Sequence, residues 1–101
     1  MTSVYLIRAN DGKYKIGTAK YPEKRLRQLQ TGNSDELLLI ETYQSHNARK
    51  IETILHNHYS YGKERGEWFN LSVEDECKFR NFCEKIEKSL YLLKQMGNEF
   101  I

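Results

Sequence analysis

Glu52 is the residue whose position most needs a chemical reason. On a helical wheel over residues 47–59, Ala48, Ile51, Leu55 and Tyr59 form one apolar face, and Glu52 falls between Ala48 and Tyr59. A carboxylate inside an apolar stripe is costly unless a charge or a hydrogen-bond donor meets it. Two explanations stand side by side. Either the side chain swings out to solvent or to a Lys or Arg, or it is a metal ligand or acid–base group of a working site. His56, one turn further on, could face the same space, whereas His46 and His58 read as surface histidines. A zinc set drawn from His56, His58, Cys77 and Cys83 has a spacing that matches none of the compact finger patterns.

The second unusual arrangement lies in "VYLIRANDGKYKIGT", residues 4–18, where Tyr5, Tyr14, Lys15 and Gly17 share one hairpin. Lys15 stands between Tyr14 and Ile16, where alternation would accept almost any residue. The loop length decides what Lys15 meets. A two-residue Asp-Gly turn would put Tyr5 and Lys15 on opposite faces. A three-residue loop, Asn10-Asp11-Gly12 with the glycine left-handed, pairs Ile7 with Lys15 and Tyr5 with Gly17. Tyr5 and Lys15 then share a face, and Val4, Leu6, Tyr14 and Ile16 share the other. The second count is preferred because it gives the second strand a consistent apolar side.

The elements that must hold these groups follow from pattern. Strands are expected over 3–9 and 13–18. A helix begins near Pro22 and ends near Gly32, with Leu26 and Leu29 inward and Arg25 beside that stripe. "ELLLIETY", 36–43, is a third strand whose run Leu37 to Ile40 is continuous enough for burial on both faces. A second helix covers about 47–59. After a polar loop comes a short aromatic strand at "EWFNL", and then a long helix, about 72–97, started by Ser72 and Asp75. Phe79, Phe82, Ile86, Leu90 and Leu93 recur along it at helical spacing.

The chain has 101 residues, 16 basic and 14 acidic, enough for one domain with a modest core. The near balance hides polarity. From Arg8 to Arg27 seven basic residues stand against two acids, whereas from Leu71 onward six acids outnumber five bases. Such a local excess suits a phosphate-facing surface, and equally a solvated charged face. Cys77 and Cys83, six apart on a helix, point to different faces and read as buried or half-buried thiols of a reducing compartment. No leader-like or membrane-spanning run stands out, so a cytoplasmic location is expected.

Taken in order, "VYL", "GKYKIGT", "PEKRL", "IETILH" and "GEWF" resemble the GIY-YIG endonuclease superfamily, closest to its phage and large-DNA-virus branch that reads YKIG in the second half-motif. The resemblance covers about residues 3–70. It implies an α+β fold, a three-stranded antiparallel sheet with helices packed around it, extended here by the long C-terminal amphipathic helix into one domain over 1–101. Carried over by position, Tyr5 stands at the first motif tyrosine and Lys15 at the second. Arg25 matches the helix arginine, and Glu52 the glutamate that holds a divalent metal. Tyr14, Gly17, His56 and Asn70 are expected in supporting roles. There are two departures: "SVY" keeps only the tyrosine of its triplet, and lysine replaces the second tyrosine.

The implied chemistry is hydrolysis of a DNA phosphodiester. One Mg²⁺ or Mn²⁺ on Glu52 would be completed by waters and phosphate. Arg25 would clamp the non-bridging oxygens, and Tyr5 would take a water's proton once its pKa falls well below about 10. Lys15 would either favour that phenolate or touch the phosphate itself. Lys13, Lys20, Lys24 and Arg27 would hold the DNA backbone. The expected partner is DNA and no membrane, with the protein a monomer or a weak homodimer through Leu93 and Met96. The alternative is a nucleic-acid-binding or regulatory module on the same fold with catalysis weakened or lost.

Overall fold

The computed structural model describes residues 1–63 and 68–97. In chain order the elements are β1 (Ser3–Ala9), β2 (Lys13–Ala19), α1 (Pro22–Thr31), β3 (Leu37–Gln44), α2 (Ala48–His58), a single 3₁₀ turn (Ser60–Gly62), β4 (Trp68–Asn70) and α3 (Val73–Gln95). The fold is α+β: one antiparallel sheet in the order β3-β1-β2-β4, with three helices. The sheet therefore has four strands, not three. The short aromatic segment aligns Asn70, Phe69 and Trp68 with Lys13, Tyr14 and Lys15, and so extends the sheet beyond β2.

The β1–β2 hairpin has the three-residue loop. Ile7 pairs with Lys15 and Tyr5 with Gly17. Gly12 carries φ +86°, a left-handed conformation that a side chain resists. Its amide donates to the Ala9 carbonyl at 2.9 Å, closing the turn.

This register sorts the hairpin side chains into two cores. On one face Val4, Leu6, Tyr14, Ile16 and Phe69 pack under Ile51 and Leu55 of α2 and Phe79, Cys83, Ile86 and Leu90 of α3. On the other, Tyr5, Ile7, Ala9 and Leu37 pack under Leu26 and Leu29 of α1, with Leu39 and Trp68 at the margin. Alternation thus puts α1 over the Tyr5–Lys15 face and sends both later helices to the opposite one.

Three expectations need correction. The Leu37–Ile40 run is not buried on both faces: β3 ends the described sheet, where the packed layers give out, and Leu38 is 42% exposed. A bulge between Leu6 and Ile7 lets Ile40 pack towards the α2–α3 side while Glu41, beside it, reaches Arg80 of α3. Within α3, Cys83 is fully buried and Phe82 only half-buried, so the inward stripe is Phe79-Cys83-Ile86-Leu90; Cys77 is exposed rather than half-buried.

α3 starts on a reciprocal cap. Ser72 Oγ accepts from the Asp75 amide and the Ser72 amide donates to Asp75 Oδ2, both at 3.0 Å. Its far end is unpacked, with Tyr91, Leu92 and Met96 exposed. Among the described residues no helix is long and apolar enough to cross a membrane.

Candidate active site

Tyr5 is 2% exposed, and the hydroxyl end of its ring lies against Gly17 on the neighbouring strand. A Cβ at position 17 would overlap the Tyr5 hydroxyl and come within 2.6 Å of Cζ, so only glycine lets the phenol rest there. Lys15, two residues back on the same face, is half-buried and holds its ammonium 5.6 Å from the centre of the Trp68 ring. The register thus brings Tyr5, Lys15 and Gly17 together as neighbours on one surface.

Arg25 belongs to α1, the helix that packs over this face through Leu26 and Leu29. Gln30 fixes which flank of the helix faces β3: its amide donates to the Asp35 carbonyl and its oxygen accepts from the Leu37 amide, both at 2.8 Å. Arg27 lies on that flank too, in a groove with Leu39 and Thr42. At about 100° per residue Arg25 falls roughly 160° around the helix from Arg27. It therefore occupies the flank turned away from the β3 groove. Arg25 is exposed, and α1 buries no residue fully, so the arginine stands beside a half-buried leucine stripe.

Glu52 comes from the other side of the sheet. Described β4 accompanies β2 only as far as Lys15. Beyond that point α2 meets the strand. His56 Nε2 lies 2.8 Å from the Ile16 carbonyl, and because a carbonyl can only accept, the ring carries its proton on Nε2. Phe69 packs edge-on against the same ring at 4.9 Å. Glu52 lies 3.6 Å from His56 and accepts from Thr18 Oγ1 at a long 3.5 Å. Tyr5 on Gly17, His56 on Ile16 and Glu52 at Thr18 thus occupy three consecutive positions of β2, from its two faces.

Other expected residues lie elsewhere. Tyr14 is on the α3 side, donating to Glu76 at 2.6 Å, where Arg8 also donates at 2.9 Å; burial and that carboxylate raise its pKa. Asn70 and Lys13 pair with each other at the hairpin-loop end of β2, about 17 Å along the strand from Thr18. Lys20, Lys24 and Arg27 line one groove of about 750 Å³ with Ser3, Tyr21, Thr42 and Gln44. Lys13 belongs to the opposite end of the face.

A hard divalent cation prefers oxygen donors and keeps several waters when few carboxylates are present. Glu52 fits that role: its side chain is 24% exposed and its two contacts are long, leaving its oxygens able to take a cation. His56 is committed to the Ile16 carbonyl. Among the described residues no group of three or more His, Cys, Asp or Glu could hold a metal.

Two participants escaped the reading by pattern. Thr18 follows Ile16 in simple alternation, but its meeting with Glu52 depends on where α2 docks. Trp68 stands in the aromatic "WF" pair, and only the β2–β4 register puts its ring under Lys15.

Fold and site together give a small α+β domain with lysines and arginines on one side of the sheet and Glu52 reaching β2 from the other. The T5orf172 domain family matches residues 2–87, and the chain belongs to it. That family is a nuclease-like phage domain associated with nucleic-acid interaction. No curated protein and no solved structure matches the chain.

Proposed function

We propose that this chain is a metal-dependent DNA endonuclease of the GIY-YIG type, hydrolysing a phosphodiester with one Mg²⁺ or Mn²⁺. The observation that carries the reading is the convergence on β2: Tyr5 with Lys15 from one face, and Glu52 from the other, at adjacent strand positions. Glu52 would hold the ion, whose charge would offset the negative charge that builds on the phosphate and the leaving oxygen. Tyr5 accepts the proton of the attacking water, helped by the Lys15 ammonium, which favours the phenolate. Arg25, always charged and forked, clamps two non-bridging oxygens as the phosphorus becomes pentacoordinate. His56 ties α2 to β2 and so sets the reach of Glu52. Lys20, Lys24 and Arg27 hold the DNA backbone.

One observation favours the binding-module alternative. Tyr5 is buried at 2% and Lys15 holds its ammonium over Trp68, so little of the phenol is open to an attacking water. Incubation with supercoiled, branched and single-stranded DNA in Mg²⁺ or Mn²⁺ separates the two. Nicking that disappears with EDTA and with Glu52→Ala supports the enzyme. DNA binding without metal-dependent nicking supports the module.

A further inference from the structure

The groove on the α1 face holds a side chain that backbone binding does not explain. Tyr21 is 62% exposed at the start of α1, and Lys20, Lys24 and Arg27 line the same depression. The Lys20 ammonium sits over one side of the Tyr21 ring, 5.6 Å from its centre. The rest of the lining includes Ser3, Thr42 and Gln44, with Glu23 the one acid. The exposed rings of Tyr61 and Tyr91 lie on the 3₁₀ turn and on α3, outside this groove.

From these features we infer that the groove is a subsite for an unpaired nucleotide, with Tyr21 as the platform on which its base stacks. Phosphates need only the cations; an exposed aromatic ring adds something only for a base whose face is open, as in a single strand, flap or junction. A duplex keeps its bases stacked on one another and offers the ring nothing. The ring has two sides, and the Lys20 ammonium stands over one of them. Polar Ser3, Thr42 and Gln44 supply donors and acceptors for a base edge without demanding one sequence.

Position links the groove to the proposed chemistry. Thr42 pairs with Tyr5 across β1 and β3, and Ser3 lies two residues from Tyr5 on the same face, roughly 7 Å along the strand. A base on Tyr21 would therefore belong to a nucleotide near the one attacked by the water that Tyr5 deprotonates. The inference deepens the endonuclease reading by naming its substrate class, DNA with an unpaired stretch, and it rests on that reading only for the cleavage position.

The test is binding in EDTA, which needs no catalysis. Fluorescein-labelled dT15 and a 15-base-pair duplex are titrated with the full chain, with Tyr21→Ala and with Tyr21→Phe. Loss of one stacked base predicts roughly 5- to 150-fold weaker dT15 binding for Tyr21→Ala. Duplex binding should change less than about twofold, and Tyr21→Phe should bind dT15 as the parent does. If Tyr21→Ala weakens both probes equally, or Tyr21→Phe is as damaging as alanine, the tyrosine is a phosphate contact and the stacking site is overturned. A parallel nicking assay keeps the readings apart. A Tyr21 effect on dT15 without any nicking leaves the subsite standing and removes the enzyme. Nicking with an indifferent Tyr21→Ala does the reverse.

Discussion

Glu52 and Glu87 are both half-buried helical carboxylates packed near the sheet, yet their surroundings differ sharply. Glu87 of α3 is met by three donors: Ser45 Oγ at 2.7 Å, Tyr43 Oη at 2.8 Å and Asn47 Nδ2 at 3.2 Å. Burial alone would raise its pKa, but those hydrogen bonds outweigh burial and hold it below the ordinary value. Among the described residues Glu52 has two long contacts, to Thr18 and His56. One carboxylate is consumed in joining α3 to the β3–α2 corner; the other is held in place while its oxygens stay available. A carboxylate's position relative to the core therefore says little about its task. The number and length of its hydrogen bonds say much more.

The sharpest way to break this contrast is to remove each in turn. Glu52→Ala should lower metal-dependent nicking by at least about a hundredfold, since an ion's charge is worth several kcal/mol in the transition state. Its melting temperature should barely move. Glu87→Ala should do the opposite, costing about 2 kcal/mol by orphaning donors built around a charged acceptor, while the folded fraction still nicks. Urea melts and nicking assays on both variants check this. Equal stability losses in the two would erase the distinction.

A comparable loss of cleavage is expected from Arg25→Ala, with DNA binding weakened only modestly, because its fork meets charge that develops in the transition state. Alanine at Lys20, Lys24 or Arg27 should instead raise the protein concentration needed and flatten the dependence of binding on salt. Binding against salt and cleavage at saturation, measured separately, distinguish them. Normal saturated cleavage by Arg25→Ala would make it one more phosphate contact and favour the binding module.

Gly17→Ala sharpens the comparison from the other face. The new methyl would collide with the Tyr5 hydroxyl and ring, displacing a packed phenol at about 1–3 kcal/mol. Nicking by the folded fraction should fall with it. A variant that melts and cleaves like the parent would show that the Tyr5–Gly17 contact is not needed.

The smallest effects are in pH. Glu87's depressed pKa gives a contribution to stability that is present above its ordinary value of 4.5 and lost as pH falls through the lower folded value. Glu87→Gln should flatten that acid limb of the stability curve. At the alkaline end, burial pushes Tyr43 and Tyr59 up from 10.0 to about 12, and the Cys83 thiol from 9.0 to about 12. The folded state keeps these protons while the unfolded chain releases them, so stability should decline from about pH 9 towards 12. Cys83→Ala should remove the earliest part of that decline in melts across this range.

Features set by neighbouring residues were legible in the chain alone. The three-residue loop follows from Asn10-Asp11-Gly12 and strand alternation, and it already put Tyr5, Lys15 and Gly17 on one face. The Ser72–Asp75 cap, the apolar face of α2 and the misplaced Glu52 are equally local, because turn, cap and helix energetics act within about four residues. What Glu52 meets was beyond that reach. Thr18 lies 34 positions away in sequence, the three donors to Glu87 lie 40 to 44 away, and Tyr14 is 62 from Glu76. The pairing of the expected aromatic strand onto β2, the ring beneath Lys15 and the half-exposed edge of β3 belong to the same class. Each is decided when separate elements dock and compete for the same buried surface, and hydrophobic burial, having no direction of its own, leaves that choice to the packing of the whole chain.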